Sequence, residues 1–219
     1  MSTEEFSNEF DILLNSHSGN SIELDEYEKS VILTEAQELV IKGLYNGSLT
    51  GKTFEETEEL RRGLDSLIKT DYPTLIIDKN GIDTNSTFYQ LKDDVWFITY
   101  ESVNITESYC KNNATIEVIP VRQDEWHRIK KNPFKMPNKR RVVRLDNGNN
   151  ISELISKYPI QNYLVRYISK PSPIILVNLE DSLSIDGLTT VTECKLNTVL
   201  HRKILETAVE LAIKTHASK

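Results

Sequence analysis

The feature that most limits what this chain can become is a change of hydrophobic period at Asp71-Tyr72-Pro73. Before it, apolar residues recur every three to four positions, the spacing of one helical face; after it they alternate, and β-branched and aromatic residues take over, as a pleated sheet requires. Proline at this point cannot stay in a helical ladder. Apart from two short segments, the helical period returns beyond Asn197. Helices are thus gathered at both ends and strands in the middle, which is the pattern of an α+β fold rather than of alternating βαβ units.

Phe6, Phe10, Leu13 and Leu14 form one stripe behind a Ser2-x-x-Glu5 capping box. Asp25 with Glu28 opens a second helix, striped by Ile32, Ala36, Val40 and Leu44 and stopped by Asn46-Gly47. Thr53-Phe-Glu-Glu56 reads as the box of a third, with Leu60, Leu64, Leu67 and Ile68 carrying it to the proline. Asn197 is the expected N-cap of a last helix, whose Leu200, Ile204, Ala208, Leu211 and Ala212 need a cover, from the N-terminal helices or from a neighbouring subunit. Between them, 75–78, 87–91, 95–103, 115–122, 140–145, 163–169 and 174–177 read as strands. Segment 95–103 is expected to be central because both of its faces are apolar, and Lys170-Pro-Ser-Pro173 reads as a tight link between strands. Short helices are expected at 124–131 and at 151–158, the latter capped by Asn150. The predicted organisation is a helical lobe from 1–72 and 190–219 and a mostly antiparallel β lobe from 73–178, in one folding unit.

Composition narrows the function. At 219 residues and 38% hydrophobic the chain can bury a proper core. No stretch approaches the ~20 apolar residues of a membrane span, and the acidic start Met1-Ser-Thr-Glu-Glu-Phe is unlike a secretory leader, so a protein made and kept in a cytoplasm, with no membrane partner, is expected. Cys110 and Cys194 stand far apart and no His or Cys is at ligand spacing, so neither a disulfide framework nor a zinc site is signalled. Gly-rich phosphate loops, G-x-S-x-G and H-E-x-x-H are all absent, so no cofactor and no enzyme is implied. The best enzyme-like cluster, Asp124, Glu125 and His127, could orient an imidazole as a base for hydrolysis. It reads more simply as an acidic helix start with an incidental histidine.

The net charge of −7 is unevenly spread. Residues 1–70 hold 15 acids against 6 Lys/Arg, whereas 128–144 carries Arg128, Lys130, Lys131, Lys135, Lys139, Arg140, Arg141 and Arg144 with no acid among them. Trp126 and Phe134 are interleaved with these cations. Such a stretch can be a solvated loop, an arm for an acidic protein partner, or a contact to a DNA backbone, which needs only positive charge. Pro133 and Pro137 frame it as a loop, against insertion of a helix into a groove. Opposite charge at two places on one chain also suits head-to-tail packing of identical copies, which closes into a ring when the rotation allows.

Several strings, Glu5-Phe-Ser-Asn-Glu-Phe-Asp11, Leu24-Asp-Glu-Tyr-Glu-Lys-Ser30, Thr53-Phe-Glu-Glu-Thr-Glu-Glu-Leu-Arg-Arg62, Asp94-Val-Trp-Phe-Ile-Thr-Tyr-Glu-Ser102, His127-Arg-Ile-Lys-Lys-Asn-Pro-Phe134 and Cys194-Lys-Leu-Asn-Thr-Val-Leu-His201, resemble a neck or head-to-tail connector protein of crAss-like tailed phages along the whole chain. The resemblance implies a virion component, assembled in the bacterial host cytoplasm. It would stack as a homo-oligomeric ring under the portal, twelve-fold to match it, with other neck or tail proteins below and genomic DNA passing through the channel. It supplies no catalytic motif. The alternative from the residues alone is a nucleic-acid-binding accessory protein acting through 128–144.

Overall fold

The computed structural model describes residues 1–18, 23–48, 51, 58–77, 79–107, 110–180 and 182–217. Its helices are α1 (Thr3–Ser18), α2 (Glu26–Tyr45), α3 (Glu58–Gly63), α4 (Trp126–Lys131) and α5 (Thr198–Ala217). Its strands are β1 (Ile68–Asp71), β2 (Thr74–Ile76), β3 (Ser86–Gln90), β4 (Val95–Glu107), β5 (Cys110–Pro120), β6 (Val142–Asp146), β7 (Ile151–Ile155) and β8 (Ile160–Ser169). The fold is α+β, and the chain divides into two compact units, Met1–Leu67 with Pro171–Lys219, and Ile68–Lys170.

In the first unit, α1 starts at the expected capping box: Glu5 N–H donates to Ser2 Oγ at 3.2 Å and Ser2 N–H to Glu5 Oε2 at 2.8 Å. Asp25 and Glu28 cap α2 in the same reciprocal way. Phe6, Phe10 and Leu14 of α1, Leu33, Ala36 and Val40 of α2, and Ile204, Leu205, Ala208 and Ala212 of α5 are all buried. The wide apolar face of α5 is therefore covered from within, by α1 and α2. Each large side chain so buried contributes about 1.5–3 kcal/mol. Lys29, the first cation of the sequence, is buried between α1 and α2, with Asp11 Oδ2 at 2.7 Å and Glu26 Oε1 at 2.8 Å.

Two expectations fail in this unit. The third helix stops at Gly63, and after the turn Asp65–Leu67 the stretch from Ile68 is strand, not helix; its predicted Thr53–Glu56 box lies outside the described residues. Segment 174–177 joins no strand ladder beyond a single bridge from Ile175 to Thr192. Instead it lies along α2. Ser30 Oγ accepts the Leu176 N–H at 3.0 Å, Thr34 Oγ1 accepts the Ile174 N–H at 3.0 Å, and Gln37 Nε2 donates to the Ser172 carbonyl at 2.9 Å. Positions 30, 34 and 37 share one helical face, so a polar stripe gives an extended segment the partners that a strand would.

The second unit is an eight-stranded sheet in the order β1-β8-β4-β5-β6-β7-β3-β2, antiparallel except where β5 meets β6. The order begins with β1 and ends with β2, yet only Tyr72 and Pro73 separate these strands in sequence. Three residue steps span at most about 11 Å, so the outermost strands approach each other at their linked ends and the sheet curls towards closure. Tyr89, Val103, Ile105, Val118, Val142, Leu154, Tyr163 and Val165 make one buried cluster, the interior of the curl. The alternate residues of β6 and β7, Val143, Leu145 and Ile155, pack outwards on Trp126 of α4.

Segment 151–158 was expected to be helical and is a strand followed by a turn. Gly148, Asn149 and Asn150 all take positive φ, at 71°, 49° and 56°, and fold β6 back onto β7, with Arg144 opposite Leu154. Asparagine tolerates the left-handed region as well as it caps helices, which is how a turn came to read as a cap. Strand β4 does lie inside the sheet order, but its most apolar part is not its most buried. β5 pairs with it only from Ser102 onwards, and Trp96, Phe97 and Ile98 remain half-exposed.

Candidate assembly surface

The basic stretch begins on α4, which lies on the outside of β6 and β7. Trp126, 5% exposed, is its anchor. Lys130 Nζ reaches Asp83 Oδ2 at 2.7 Å, tying the helix to the loop between β2 and β3. The Lys130 ammonium holds the Asp83 carboxyl below its ordinary range, against the upward push of burial. That loop is itself tightly seated: Glu153 accepts from Ser86 Oγ and from the Ile82 N–H, and a Cβ placed on Gly81 would sit 2.2 Å from Ser86 Cβ and 2.4 Å from Glu153 Oε1. Open cavities of about 360 and 390 Å³ flank Trp126 and Lys130, the first under Met136 and Pro137, the second beside His127.

Beyond α4 the chain forms an arm shaped by two Asn side chains. Asn132 Oδ1 accepts the Phe134 N–H at 2.9 Å, and Asn138 Oδ1 accepts the Arg140 N–H at 2.8 Å. The Arg141 guanidinium donates to the Phe134 carbonyl at 2.8 Å and closes the arm on itself. At its tip Phe134 is 86% exposed. A phenyl ring so open to water is an unspent apolar surface.

The eight cations of the sequence separate into three kinds. Lys131, Lys135, Lys139 and Arg140 are exposed and have no ion pair among the described residues. Arg128 and Lys130 are paired, to Glu125 at 3.4 Å and to Asp83, and Arg141 is spent on the arm's own backbone. Arg144 does not belong to the surface at all. It is 8% exposed and points into the curled sheet, where Nη1 meets Glu101 Oε1 at 3.0 Å and Nε lies 3.3 Å from Asp146 Oδ1. The Tyr163 hydroxyl donates to the same Glu101 oxygen. Burial pushes the Glu101 carboxyl up, opposed by Arg144 and by Tyr163. Burial works against the Arg144 charge as well, and Glu101 and Asp146 more than restore it. The sequence concealed this network because Arg144 closes a basic run; strand alternation with Val142 was the available sign that it faces inwards.

Asp124 is engaged by Arg122 at 3.0 Å and Glu125 by Arg128, while His127 lines the cavity beside Trp126. Among the described residues, no group of three His, Cys, Asp or Glu side chains is placed to hold a metal ion, and no helix is long and apolar enough to cross a membrane.

Charge of the other sign lies in the first unit. α1 carries Glu4, Glu5, Glu9 and Asp11 and no Lys or Arg. Beside it, a groove of about 260 Å³ between α1 and α5 is lined by apolar Leu13, Val209 and Ile213, by the carboxylates Glu206 and Glu210, and by His17 and Arg202.

The segment thus carries exposed cations without ion pairs and an exposed ring, on a base fixed by an ion pair and a buried tryptophan. The chain belongs to the phage tail ring protein 3/4 family, which it matches over residues 1–219. It is 49% identical over 219 residues to "Ring protein 3" of Bacteroides phage crAss001, covering 97% of this chain and 95% of that protein. It is also 37% identical over 230 aligned positions to "Ring protein 4/5" of the same phage, covering 97% and 92%. The resemblance to ring proteins of crAss-like phages is thereby borne out, and the chain is a structural ring protein of a phage particle.

Proposed function

We propose that the chain is one of twelve copies of a ring in the neck of the particle, stacked between the portal and the tail around the passage for DNA. The observation that carries this reading is the full-length match to a tail ring family. It is supported by a surface arm whose cations Lys131, Lys135, Lys139 and Arg140 are left without ion pairs in the isolated chain. Function is then mechanical: each protomer holds two neighbours and the rings above and below, and turns over no substrate. A specific ring contact buries more than about 1,000 Å², so the arm supplies part of a wider interface. Imaging of the mature particle tests this, with density for this chain expected in a twelve-fold ring next to the portal. Its absence from the particle, or a position away from the head-to-tail junction, would end the reading.

A second reading is favoured by the same unpaired cations: they meet phosphates of the genome, with no base readout. It predicts DNA retention that falls steeply with salt and disappears when Lys139 and Arg140 are replaced, while rings still form.

A further inference from the structure

We infer that the arm of one copy docks in the α1–α5 groove of the next, with the Phe134 ring on its apolar lining and the arm's cations against its carboxylates. The inference rests on the ring reading and names the partner of its arm. Three observations bear it. The first is shape. Phe134 is 86% exposed at the end of a loop that Asn132, Asn138 and Arg141 hold in one conformation, so little ordering entropy opposes its insertion. The groove of about 260 Å³ offers Leu13, Val209 and Ile213 as apolar lining, in a concavity of the kind into which an aromatic anchor fits.

The second is charge. Lys131, Lys135, Lys139 and Arg140, in the same stretch as the ring, are exposed and have no ion pair among the described residues. The receiving side presents Glu206 and Glu210 on α5, with His17 and Arg202 also in the lining, and α1 adds Glu4 and Glu9, while its Asp11 is held by Lys29 and its Glu5 by the capping box. Of the groove's acids, Glu206 is contacted by Arg202 at 3.4 Å and Lys203 at 3.8 Å, and Glu210 by Lys214 at 3.8 Å; these are long pairs with exposed partners, which an incoming cation can displace. The third is symmetry. Arm and groove are different surfaces of one chain, so their contact is heterologous, the kind that generates rings instead of two-fold dimers. A DNA backbone would use the cations but leaves both the exposed ring and the groove unexplained.

The test uses the full chain with p-benzoylphenylalanine at position 134, irradiated after assembly. Covalent multimers are expected, with the cross-linked peptides coming from α1 around Leu13 and from α5 around Val209 to Ile213. In parallel, Lys139→Glu with Arg140→Glu should weaken assembly at least tenfold in protomer concentration, and adding Glu206→Lys with Glu210→Lys should restore it. Rings of unchanged stability in the Lys139→Glu, Arg140→Glu chain, or cross-links mapping elsewhere, overturn the inference and leave the ring reading standing. Unchanged rings that no longer retain DNA overturn it in favour of phosphate contact. A wild-type chain that never exceeds the monomer mass, alone or in particles, removes the ring reading and this contact together.

Discussion

Arg140 and Arg144 lie within one short run of sequence and carry the same guanidinium into opposite surroundings. Arg140 stands in water at the end of an arm, without an ion pair among the described residues. Arg144 is 8% exposed inside a curled sheet, between Glu101 and Asp146 and beside the Tyr163 hydroxyl. The charge of the first is free for a partner; that of the second is consumed by the fold. A run of cations in a sequence therefore reports an interface only after the alternation of the strand beneath it has been taken into account.

Mutation separates the two sharply. Arg144→Met leaves the Glu101 carboxylate buried without its counter-charge, and a loss of about 3–5 kcal/mol in urea unfolding is expected. Most of it should return in the Arg144→Met, Glu101→Leu double variant, since an apolar pair of similar volume replaces an ion pair at little net cost. A single variant as stable as wild type would place Arg144 with the surface cations after all. Next in size comes Gly81→Ala, whose new methyl must displace Ser86 or Glu153; about 1–3 kcal/mol is expected from thermal unfolding, and a neutral result would show that the loop holding Asp83 yields easily.

The base of the arm has a pH signature. Asp83 has its folded value lowered below the ordinary 3.8, so the stability it contributes is present above that value and is lost as pH falls through the lower, folded one. Lys130→Met should lower the melting temperature at neutral pH and flatten the fall below about pH 4, so that the two chains converge where Asp83 is protonated; an unaltered acid limb would mean that the Lys130 contact does not hold the carboxylate. The smallest effect on folding belongs to the tip. Lys139→Gln with Arg140→Gln should change unfolding by less than about 0.5 kcal/mol, although assembly suffers, and a larger loss would show that the arm is part of the core.

Much of the architecture was legible because periodicity and caps are local. The Ser2 and Asp25 boxes, the stripes of α1, α2 and α5 and the change of period near Pro73 all predict elements that the structure contains. What failed depends on distant partners. Ile151, Leu154 and Ile155 suit a helix face, and only pairing with β3 and β6 makes them strand. Ile174 to Val177 suits a strand, yet its partners are hydroxyls and an amide on α2. At the candidate surface, the loop and its cations were visible, but which of them would be paired, folded back or buried was not, because Asp83, Glu101 and the Phe134 carbonyl come from elsewhere in space. Family membership was legible in wording alone and carried no geometry with it.

The second unit is entered through β1 and left through β8, and these strands are paired, Ile68 opposite Ile168. Residues so paired stand about 5 Å apart. The two ends of the second unit therefore lie side by side, whatever its loops contain. Loops inside the second unit can thus change in length while β1 and β8 keep its two ends at the same spacing.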